Sequence, residues 1–332
     1  MNSGSYVGLL TVLTVVVALS FLASLMVGTS GIGWPDVQGV LRSEADTTAA
    51  LILWELRLPR ALLGAVVGAS LALSGACLQG FLRNPLAEPG IIGISSASAL
   101  GAVVAIYTGL ALLVPVALPL LAIGCSLLAV LALQSLARSG GALTLILAGV
   151  AISSLCAALT SLALSISPNP FASLEIVFWL LGSITDRSMA HFWLIAPFIA
   201  TGWLLLALTA RPLDALTLGT ETAISLGVNL PRLRMLVTVG AACCVGAATA
   251  VSGVIGFVGL VVPHLLRPLV GYQPSRLLPA SALGGAALLL IADVVVRLLT
   301  TESEIRLGVV TALVGVPFFF YLVIRSRSVF AQ

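Results

Sequence analysis

The amino-acid sequence predicts an all-α integral membrane protein, a bundle of about ten transmembrane helices. First, 60% of the residues are hydrophobic and only 8% are charged, whereas soluble domains carry about 25% charged residues. Second, long stretches contain no charged residue at all, and one membrane span needs only about 20 apolar residues. These stretches are 1–35, 61–82, 89–137, 139–174, 188–210, 235–266 and 307–324.

Ten helices follow from these stretches, and we treat residues 1–332 as one polytopic domain. Pro115 and Pro119 separate two helices within 89–137, and Pro263 with nearby glycines interrupts 235–266. The first stretch lacks a basic leader and is too long for a signal peptide, so we expect a retained span. The predicted helices are 6–27, 61–82, 94–111, 114–136, 143–166, 189–209, 232–251, 255–270, 277–297 and 307–325.

The charges of the predicted loops favour an orientation with both termini in the cytoplasm. In this orientation the inner loops hold nine arginines and three acids, and the outer loops hold six arginines and nine acids. Basic residues concentrate in cytoplasmic loops of membrane proteins. An even number of spans agrees with this arrangement.

Two rows of small residues, spaced four apart, predict close contacts between helices. Such faces let two backbones approach each other in lipid. They indicate a compact bundle and say nothing about a substrate. The rows are Gly64, Gly68, Ala72, Ala76 and Gly80, and Gly240, Cys244, Ala248, Ser252 and Gly256.

The sequence excludes several classes of catalyst. Every basic residue of the Lys and Arg class is an arginine, so the chain lacks the lysine of a phosphate-binding loop and is not a P-loop ATPase by itself. The five cysteines lie in apolar segments without a C-x-x-C pair, which predicts small buried side chains. Two histidines and no G-x-S-x-G motif argue against an intramembrane serine protease. We expect no catalytic residue, no metal site and no cofactor bound by this chain.

Ionisable residues within the predicted spans are few. Asp293 lies four residues before Arg297 near a helix end, which favours a structural ion pair over a proton relay. His264 is expected to be neutral and hydrogen-bonded, with ligation of a passing metal complex as the alternative. His191 begins a span and is expected at the membrane interface. The scarcity of buried acids disfavours a proton- or sodium-coupled carrier, so a partner must supply the energy.

The segment 211–234 is the longest polar break in the chain and lies on the predicted inner side. Two short helices fit it, with Gly219 and Gly227 as their stops. An ordinary solvated loop is the alternative, but it does not account for the length and helix-forming character of the segment. We interpret the segment as the contact for that partner.

Four motifs together resemble, nearly end to end, the FecCD family of ABC importer permeases, which serve iron–siderophore complexes, haem and vitamin B12. The first motif, at 56–102, is LRLPRALLGAVVGASLALSGACLQGFLRNPLAEPGIIGISSASALGA. The others are LGTETAISLGVN at 218–229, GFVGLVVPHLLRPLVG at 256–271 and LGVVTALVGVPFFFYLVIR at 307–325.

The resemblance implies a bundle like that of the vitamin B12 importer permease, in a homodimer with the pathway on the dimer axis. It implies two ATP-binding subunits, which use ATP and Mg, on the cytoplasmic side of a bacterial inner membrane, and a periplasmic binding protein on the other side. By similarity, the 143–166 helix lines the pathway and residues 212–228 form two coupling helices. The family's substrates lead us to expect a ferric siderophore or haem, with vitamin B12 as the alternative.

The same resemblance implies roles for individual residues, in three groups. The cytoplasmic gate is expected at Asn84 and Leu86 of the RNPLAE turn. The ATPase contact is expected at Leu218, Gly219, Glu221, Ala223 and Gly227. The docking site for the binding protein is expected at Arg57, Arg60 and Arg297.

Two features leave alternatives open. Arg57 and Arg60 follow Glu55 at the predicted outer end of a span, where snorkelling to the lipid headgroups is the alternative to docking. Anchoring accounts less well for a basic pair on an otherwise acidic face. Arg306 stands where the family usually has proline. Without that proline the start of the last helix should be slightly looser, and the arginine adds a positive charge at the outer end.

A membrane scaffold for an ATPase and a secondary carrier are the alternative functions.

Overall fold

A computed structural model describes residues 3–28, 33–42, 47–114, 116–137, 140–167, 169–299 and 305–330, and most of them are helical. A short π-helical turn at Ile52–Arg57 joins the third α-helix to the fourth. The α-helices of the described ranges are α1 (Ser3–Met26), α2 (Trp34–Leu41), α3 (Thr47–Leu51), α4 (Leu58–Leu82), α5 (Ile94–Tyr107), α6 (Leu110–Leu113), α7 (Ala117–Leu136), α8 (Ala142–Ser165), α9 (Pro170–Leu180), α10 (Met189–Ala207), α11 (Ala210–Leu216), α12 (Thr220–Ser225), α13 (Leu230–Ser252), α14 (Val258–Leu266), α15 (Pro274–Leu299) and α16 (Leu307–Phe330).

Each of the ten predicted apolar helices is present, with ends that differ by a few residues. The predicted helix 94–111 is interrupted, because Gly109 adopts a left-handed conformation with φ of 70° between α5 and α6. The sequence did not predict α9, which begins at Pro170 after Asn169 caps the helix by accepting a hydrogen bond from Phe171 N–H. Proline fits the first turn of a helix, so this start has a clear local cause.

Seven helices in the described part of the chain are long and apolar enough to cross a membrane, by length and composition only. The predicted helix 255–270 is shorter than expected, since α14 has 9 residues. A helix of that length spans roughly 14 Å, whereas a hydrocarbon core is about 30 Å thick. Helix α14 therefore reaches across part of the bundle and does not cross it alone.

Helices α4 and α13 form the centre of the bundle. Buried residues occupy nearly their whole lengths, as expected for helices that are apolar on every face. Helix α4 packs on α15, α13, α14 and α10, and α13 packs on α10, α7 and α5. Helices α1 and α8 expose most of their surface in the isolated protomer.

Members of both rows of small residues lie at close helix crossings, as predicted. A Cβ atom built on Gly68 of α4 would lie 2.2 Å from the carbonyl oxygen of Gly285 in α15. A Cβ atom on Gly202 of α10 would lie 2.5 Å from the sulfur of Cys244. The prediction was wrong for Gly256, because α13 ends at Ser252 and Gly256 lies in the connection to α14.

The bundle has two ends that carry different side chains. We call the end with the N-terminus of α4 and the C-terminus of α15 the outer end, as the loop charges predict. The opposite end carries α11 and α12 and is called the inner end. Asp214 of α11 accepts a 2.8 Å hydrogen bond from the Ser275 N–H at the start of α15, which fixes these elements together.

Candidate functional site

Residues 84–93, the return segment, run from the inner end of α4 back to the middle of the bundle. After α4 ends at Leu82, Arg83 reverses the chain in a left-handed conformation with φ of 51°. A Cβ atom on Gly259 would lie 3.3 Å from Pro89 and 2.8 Å from the carbonyl oxygen of Leu71. Leu71 lies about three helical turns, or roughly 16 Å, from the inner end of α4. Because Pro89 and Leu71 both lie beside Gly259, the return segment runs about the same distance into the bundle without forming a helix.

Asn84 and Leu86 form the turn at the inner end of the return segment. The Asn84 Oδ1 atom accepts a 2.9 Å hydrogen bond from Leu86 N–H, and Asn84 N–H donates to the Gln79 carbonyl at 3.2 Å. Both side chains are partly exposed. Their placement at the inner mouth is compatible with a gate, and their role in gating remains a prediction.

A cavity of about 450 Å³ lies where the return segment meets α5, α8 and the segment before α14. Most of its wall is apolar. Four hydroxyl groups and one carboxylate also face it, from Ser95, Ser96, Thr160, Ser161 and Glu88. Helix α8, which corresponds to the predicted pathway helix 143–166, thus supplies one wall of a cavity that opens at the surface of the protomer.

Helix α8 holds the return segment at very close range. A Cβ atom on Gly149 would lie 2.4 Å from the Cα atom of Ile92, so only glycine fits at this crossing. The hydroxyl of Ser153, one turn along α8, donates a 3.0 Å hydrogen bond to the carbonyl of Gly90. If α8 moves, either these contacts break or the return segment moves together with α8.

Glu88 is a functional candidate that the sequence reasoning missed. The loop charges place it among the inner acids, and the structure places it on the wall of the cavity beside α8. Phe257, the residue just before α14, lines the same cavity. The sequence predicts few ionisable residues within the spans and counts Glu88 among the acids of the inner loops. The apolar residues that flank it, including Leu86, Ile91 and Ile92, were the available signal, since apolar side chains favour burial.

Two of the three arginines of the expected docking site, Arg60 and Arg297, meet at Asp293 at the outer end. Arg60 Nη2 lies 2.9 Å from one oxygen of the Asp293 carboxylate, and Arg297 Nη2 lies 2.7 Å from the other. The predicted ion pair between Asp293 and Arg297 is confirmed. Only 1% of the Asp293 side chain is exposed, against 16% for Arg60 and 8% for Arg297.

Arg57, the third arginine of the expected docking site, and Arg297 bind the C-terminal end of α1. Arg57 is 4% exposed, and its Nη1 donates to the carbonyls of Leu25 at 2.8 Å and Met26 at 3.0 Å. Arg297 Nη1 donates to the carbonyls of Ser24 at 2.8 Å and Val27 at 2.7 Å. The last carbonyls of a helix have no partner within it, so these guanidinium groups cap α1.

The predicted partner segment folds as two short helices, α11 and α12. Both stops are the expected glycines, because Gly219 has φ of 110° and Gly227 has φ of 85°. Ala223 is fully buried beneath this segment, whereas Leu218 is 65% exposed. Glu221 lies in the first turn of α12 and is exposed. An exposed apolar side chain beside an exposed acid suits a docking surface better than a solvated loop.

Arg306 borders a second, shallower cavity of about 300 Å³ at the outer end. Its guanidinium carbon lies 5.5 Å from the ring centroid of Phe178, a cation–π contact. Helix α16 begins at Leu307, as predicted. Arg187 lines the same cavity, where burial lowers the pKa of its guanidinium and the nearby Asp186 opposes that shift.

The remaining candidates from the sequence are the two histidines and the five cysteines. His191 and Ser188 form a capping box at the start of α10, so His191 begins a span as predicted. The His264 ring stands edge-on to Phe318 with centroids 5.8 Å apart. Cys125 is partly exposed and the other four cysteines are buried. No group of three or more potential metal-ligating side chains occurs among the residues described.

Comparison with known proteins identifies relatives of this chain. The sequence model of the FecCD transport family matches residues 15–325. The haemin transport system permease of Yersinia pestis is 38% identical over 93% of this chain and 95% of its own length. The cobalamin import system permease of Halobacterium salinarum is 40% identical over 90% of this chain and 81% of its own.

A solved structure shows the same fold. It is an inward-facing conformation of a metal-chelate type ABC transporter, and it aligns with a TM-score of 0.85 and 35% identity. The alignment covers 95% of this chain and 98% of the other. The resemblance found in the four motifs is thus confirmed at the level of sequence and of fold.

Proposed function

The chain belongs to the FecCD transport family and is a multi-pass permease of an ABC importer, and on this premise we propose that it carries an iron chelate, a ferric siderophore or haem, from periplasm to cytoplasm. The observation that carries the proposal is the match of the family model to residues 15–325. The haemin permease relative supports haem. The cobalamin and vitamin B12 permeases among the relatives make vitamin B12 the second candidate.

We propose that this permease performs no chemistry and that separate subunits hydrolyse ATP. The absence of lysine supports this, because the phosphate-binding loop of such ATPases requires one. Two ATP-binding subunits would contact α11 and α12 at the inner end. The exposed Leu218 and Glu221, with Gly219, Ala223 and Gly227 shaping the segment, would form the contact.

We propose a homodimer in the bacterial inner membrane, with both termini in the cytoplasm. Two helices of the isolated protomer expose large apolar side chains that a second copy or lipid must cover. They include Leu147 and Leu155 on α8, and Leu313 and Phe320 on α16. A dimer through these helices would place the cavity beside α8 next to the dimer axis.

A periplasmic binding protein would deliver the cargo at the outer end. The expected contact is the cluster of Arg57, Arg60 and Arg297. The structure gives these side chains partners within the protomer, so docking must use the partly exposed Arg60 or rearrange the cluster. Opposite charge would set the orientation and the rate of encounter more than the final affinity.

The test is reconstitution of the permease in nanodiscs with its ATPase subunits and its binding protein. We expect ATP hydrolysis to rise when the binding protein is loaded with its cargo, and not when it is empty. A ferric siderophore, haem and vitamin B12 are compared as cargo in parallel. Stimulation by vitamin B12 alone would overturn the iron-chelate proposal. Uptake into proteoliposomes that persists without ATP and fails with an uncoupler would instead indicate a secondary carrier.

A further inference from the structure

The outer cavity, the cavity of about 300 Å³ that Arg306 borders, is enclosed by segments distant in sequence. The ends of α9 and α13, the connection before α10 and the residue before α16 all line it. Ser183 N–H donates a 2.7 Å hydrogen bond to the carbonyl of Ser252. A Cβ atom on Gly253 would lie 2.2 Å from the carbonyl oxygen of Trp179, so α9 and the end of α13 touch through their backbones. These contacts fix the wall of the cavity without a ligand.

Arg187 presents unused hydrogen-bond donors at the outer cavity. Its Nε donates a 2.6 Å hydrogen bond to the carbonyl of the buried Val251, near the end of α13. Neither of its Nη atoms has a hydrogen-bond partner among the residues that the structure describes, and both ion pairs found there involve Asp293 instead. The two Nη atoms of a guanidinium carry parallel N–H groups that match the two oxygens of a carboxylate. Arg187 is therefore anchored at one atom and open at the edge that binds such a group.

A second guanidinium, that of Arg306, borders the same cavity. The Phe178 ring holds its positive charge beside the opening, with 5.5 Å between the guanidinium carbon and the ring centroid. Two acids, Glu175 and Asp186, also line the cavity. Both acids are exposed, whereas both arginines are partly buried. Water and salt screen exposed charges more strongly than partly buried ones, so the arginines dominate the electrostatic potential within the cavity.

The outer cavity adjoins the cavity beside α8, because consecutive residues line the two. On α9, Trp179 lines the outer cavity and Leu180 lines the cavity beside α8. After α13, Gly253 and Val254 are divided in the same way. A cargo that enters at the outer end and follows the proposed pathway beside α8 would therefore pass the two arginines. A volume of about 300 Å³ is small for a ligand pocket, so the outer cavity suits one polar arm of a cargo.

We propose that Arg187 and Arg306 form a carboxylate-binding subsite at the entrance of the pathway, which favours cargo with free carboxylate groups. The subsite rests on the proposed import of an iron chelate, and it narrows that cargo to one chemical class. Haem belongs to this class through its two propionates, whereas a neutral ferric trihydroxamate and vitamin B12 carry no free carboxylate. Charge-assisted hydrogen bonds are strong, and partial exclusion of water from the cavity strengthens them further.

The test compares cargoes in two pairs that differ in free carboxylates. Haem is paired with haem dimethyl ester, and ferric citrate is paired with a neutral ferric trihydroxamate. Each binds by equilibrium dialysis to the permease with its ATPase subunits in nanodiscs, without binding protein, and empty nanodiscs give the lipid background. We expect the carboxylate member of at least one pair to bind the parent permease more tightly than its partner does.

Arg187→Gln and Arg306→Gln should each weaken the binding of that carboxylate cargo about tenfold, the factor for one lost hydrogen bond to a charged group. The uncharged member of the pair should bind as before. Arg187→Lys keeps the charge but loses the paired donors, so its effect should be intermediate. Arg42→Gln removes an exposed outer arginine and is the matched control, for which every dissociation constant should stay unchanged.

Thermal unfolding of each variant identifies a general loss of structure, and Arg306→Gln remains informative if Arg187→Gln does not fold. Equal affinities within both pairs, no binding of either carboxylate cargo, or variants that keep the parent preference would overturn the subsite. Weaker association of both empty and loaded binding protein, with cargo affinity unchanged, would also overturn it and assign the arginines to docking. Uptake of the neutral trihydroxamate without any carboxylate preference would overturn the subsite alone, whereas uptake of vitamin B12 alone would overturn the iron-chelate proposal as well.

Discussion

The Arg60 guanidinium binds the Asp293 carboxylate through two nitrogens, with Nε and Nη2 each 2.9 Å from Oδ1. This pair joins the start of α4 to the end of α15, and Arg297 completes it from the opposite side of the carboxylate. Asp293 is thus a buried acid that lies between two cations. Its charge makes the burial of both guanidinium groups possible, since a buried charge without a partner is costly.

Asp293→Asn should destabilise the permease strongly. The substitution keeps the shape of the side chain but leaves Arg60 and Arg297 close together without a counter-ion. Loss of one partner from a buried charged pair costs about 3–5 kcal/mol. Thermal unfolding in detergent micelles measures the effect, with Glu175→Gln, which removes an exposed outer acid, as the control. Unchanged stability would mean that the cluster is solvated and that a different role for Asp293, including a proton relay, must be reconsidered.

Docking of the binding protein is tested by Arg57→Glu combined with Arg60→Glu. If the cluster receives acidic residues, association with the binding protein and uptake should fall while the ATPase subunits remain bound. Association is measured in nanodiscs at low and high salt, because exposed charge pairs act mainly through a salt-sensitive rate of encounter. Arg42→Glu, an exposed arginine at the same end, is the control.

Thermal unfolding of the same double variant decides between docking and packing. Arg57 caps α1 from a buried position, so a purely structural role predicts a large loss of stability with association retained in the folded fraction. Unchanged affinity and unchanged salt dependence would remove the docking role and leave these arginines as the anchor of α1.

Glu221→Arg should uncouple the permease from its ATPase subunits without affecting membrane insertion. Glu221 is exposed on α12, so reversal of its charge alters a contact surface and no buried contact. Gly227→Pro should have the same outcome, because proline cannot adopt the φ of 85° found there. Co-purification of the ATPase subunits is the readout. Glu175→Arg makes the same charge change at the outer end and should leave that association intact. Full transport by both Glu221→Arg and Gly227→Pro would exclude this segment from the mechanism.

Arg306→Pro should be tolerated. The helix begins at the next residue, and a proline at a helix start costs no intrahelical hydrogen bond. The loss of the contact with the Phe178 ring should cost no more than about 1 kcal/mol, which the stiffer helix start should offset. The melting temperature is therefore expected to stay unchanged or rise slightly. Arg306→Ala removes the contact with the Phe178 ring without adding a proline, so it measures the contribution of that contact alone. Collapse of expression in the proline variant would show that Arg306 makes a needed contact.

Gly68→Ala should lower stability by about 1–3 kcal/mol, the usual cost of overpacking a core. The added methyl group would overlap the Gly285 backbone, which cannot move as a side chain could. Gly8→Ala is the matched control, because nothing in the protomer lies within 4 Å of a Cβ atom there. A melting temperature for Gly68→Ala equal to that of the control would show that α4 and α15 separate easily.

The sequence by itself determined the class of the protein, its main helices and its inner segment. Apolar stretches of span length fix where helices form, because a bilayer leaves no alternative partner for backbone groups. The glycine stops at Gly219 and Gly227 were predictable because few other residues adopt positive φ. The Asp293–Arg297 pair was also predictable, since residues four apart share one face of a helix.

Only the tertiary structure decided what lies at each depth of the bundle. The sequence placed Glu88 in a surface loop, because loop and interior are distinguished by composition and this segment forms no helix to reveal its path. The return of residues 84–93 into the bundle depends on the crossings of Gly149 with Ile92 and of Gly75 with Gly259. Likewise, nothing local to Arg57 shows that it reaches the carbonyls at the end of α1. Contacts between residues distant in sequence arise from helix packing, which a one-dimensional pattern does not encode.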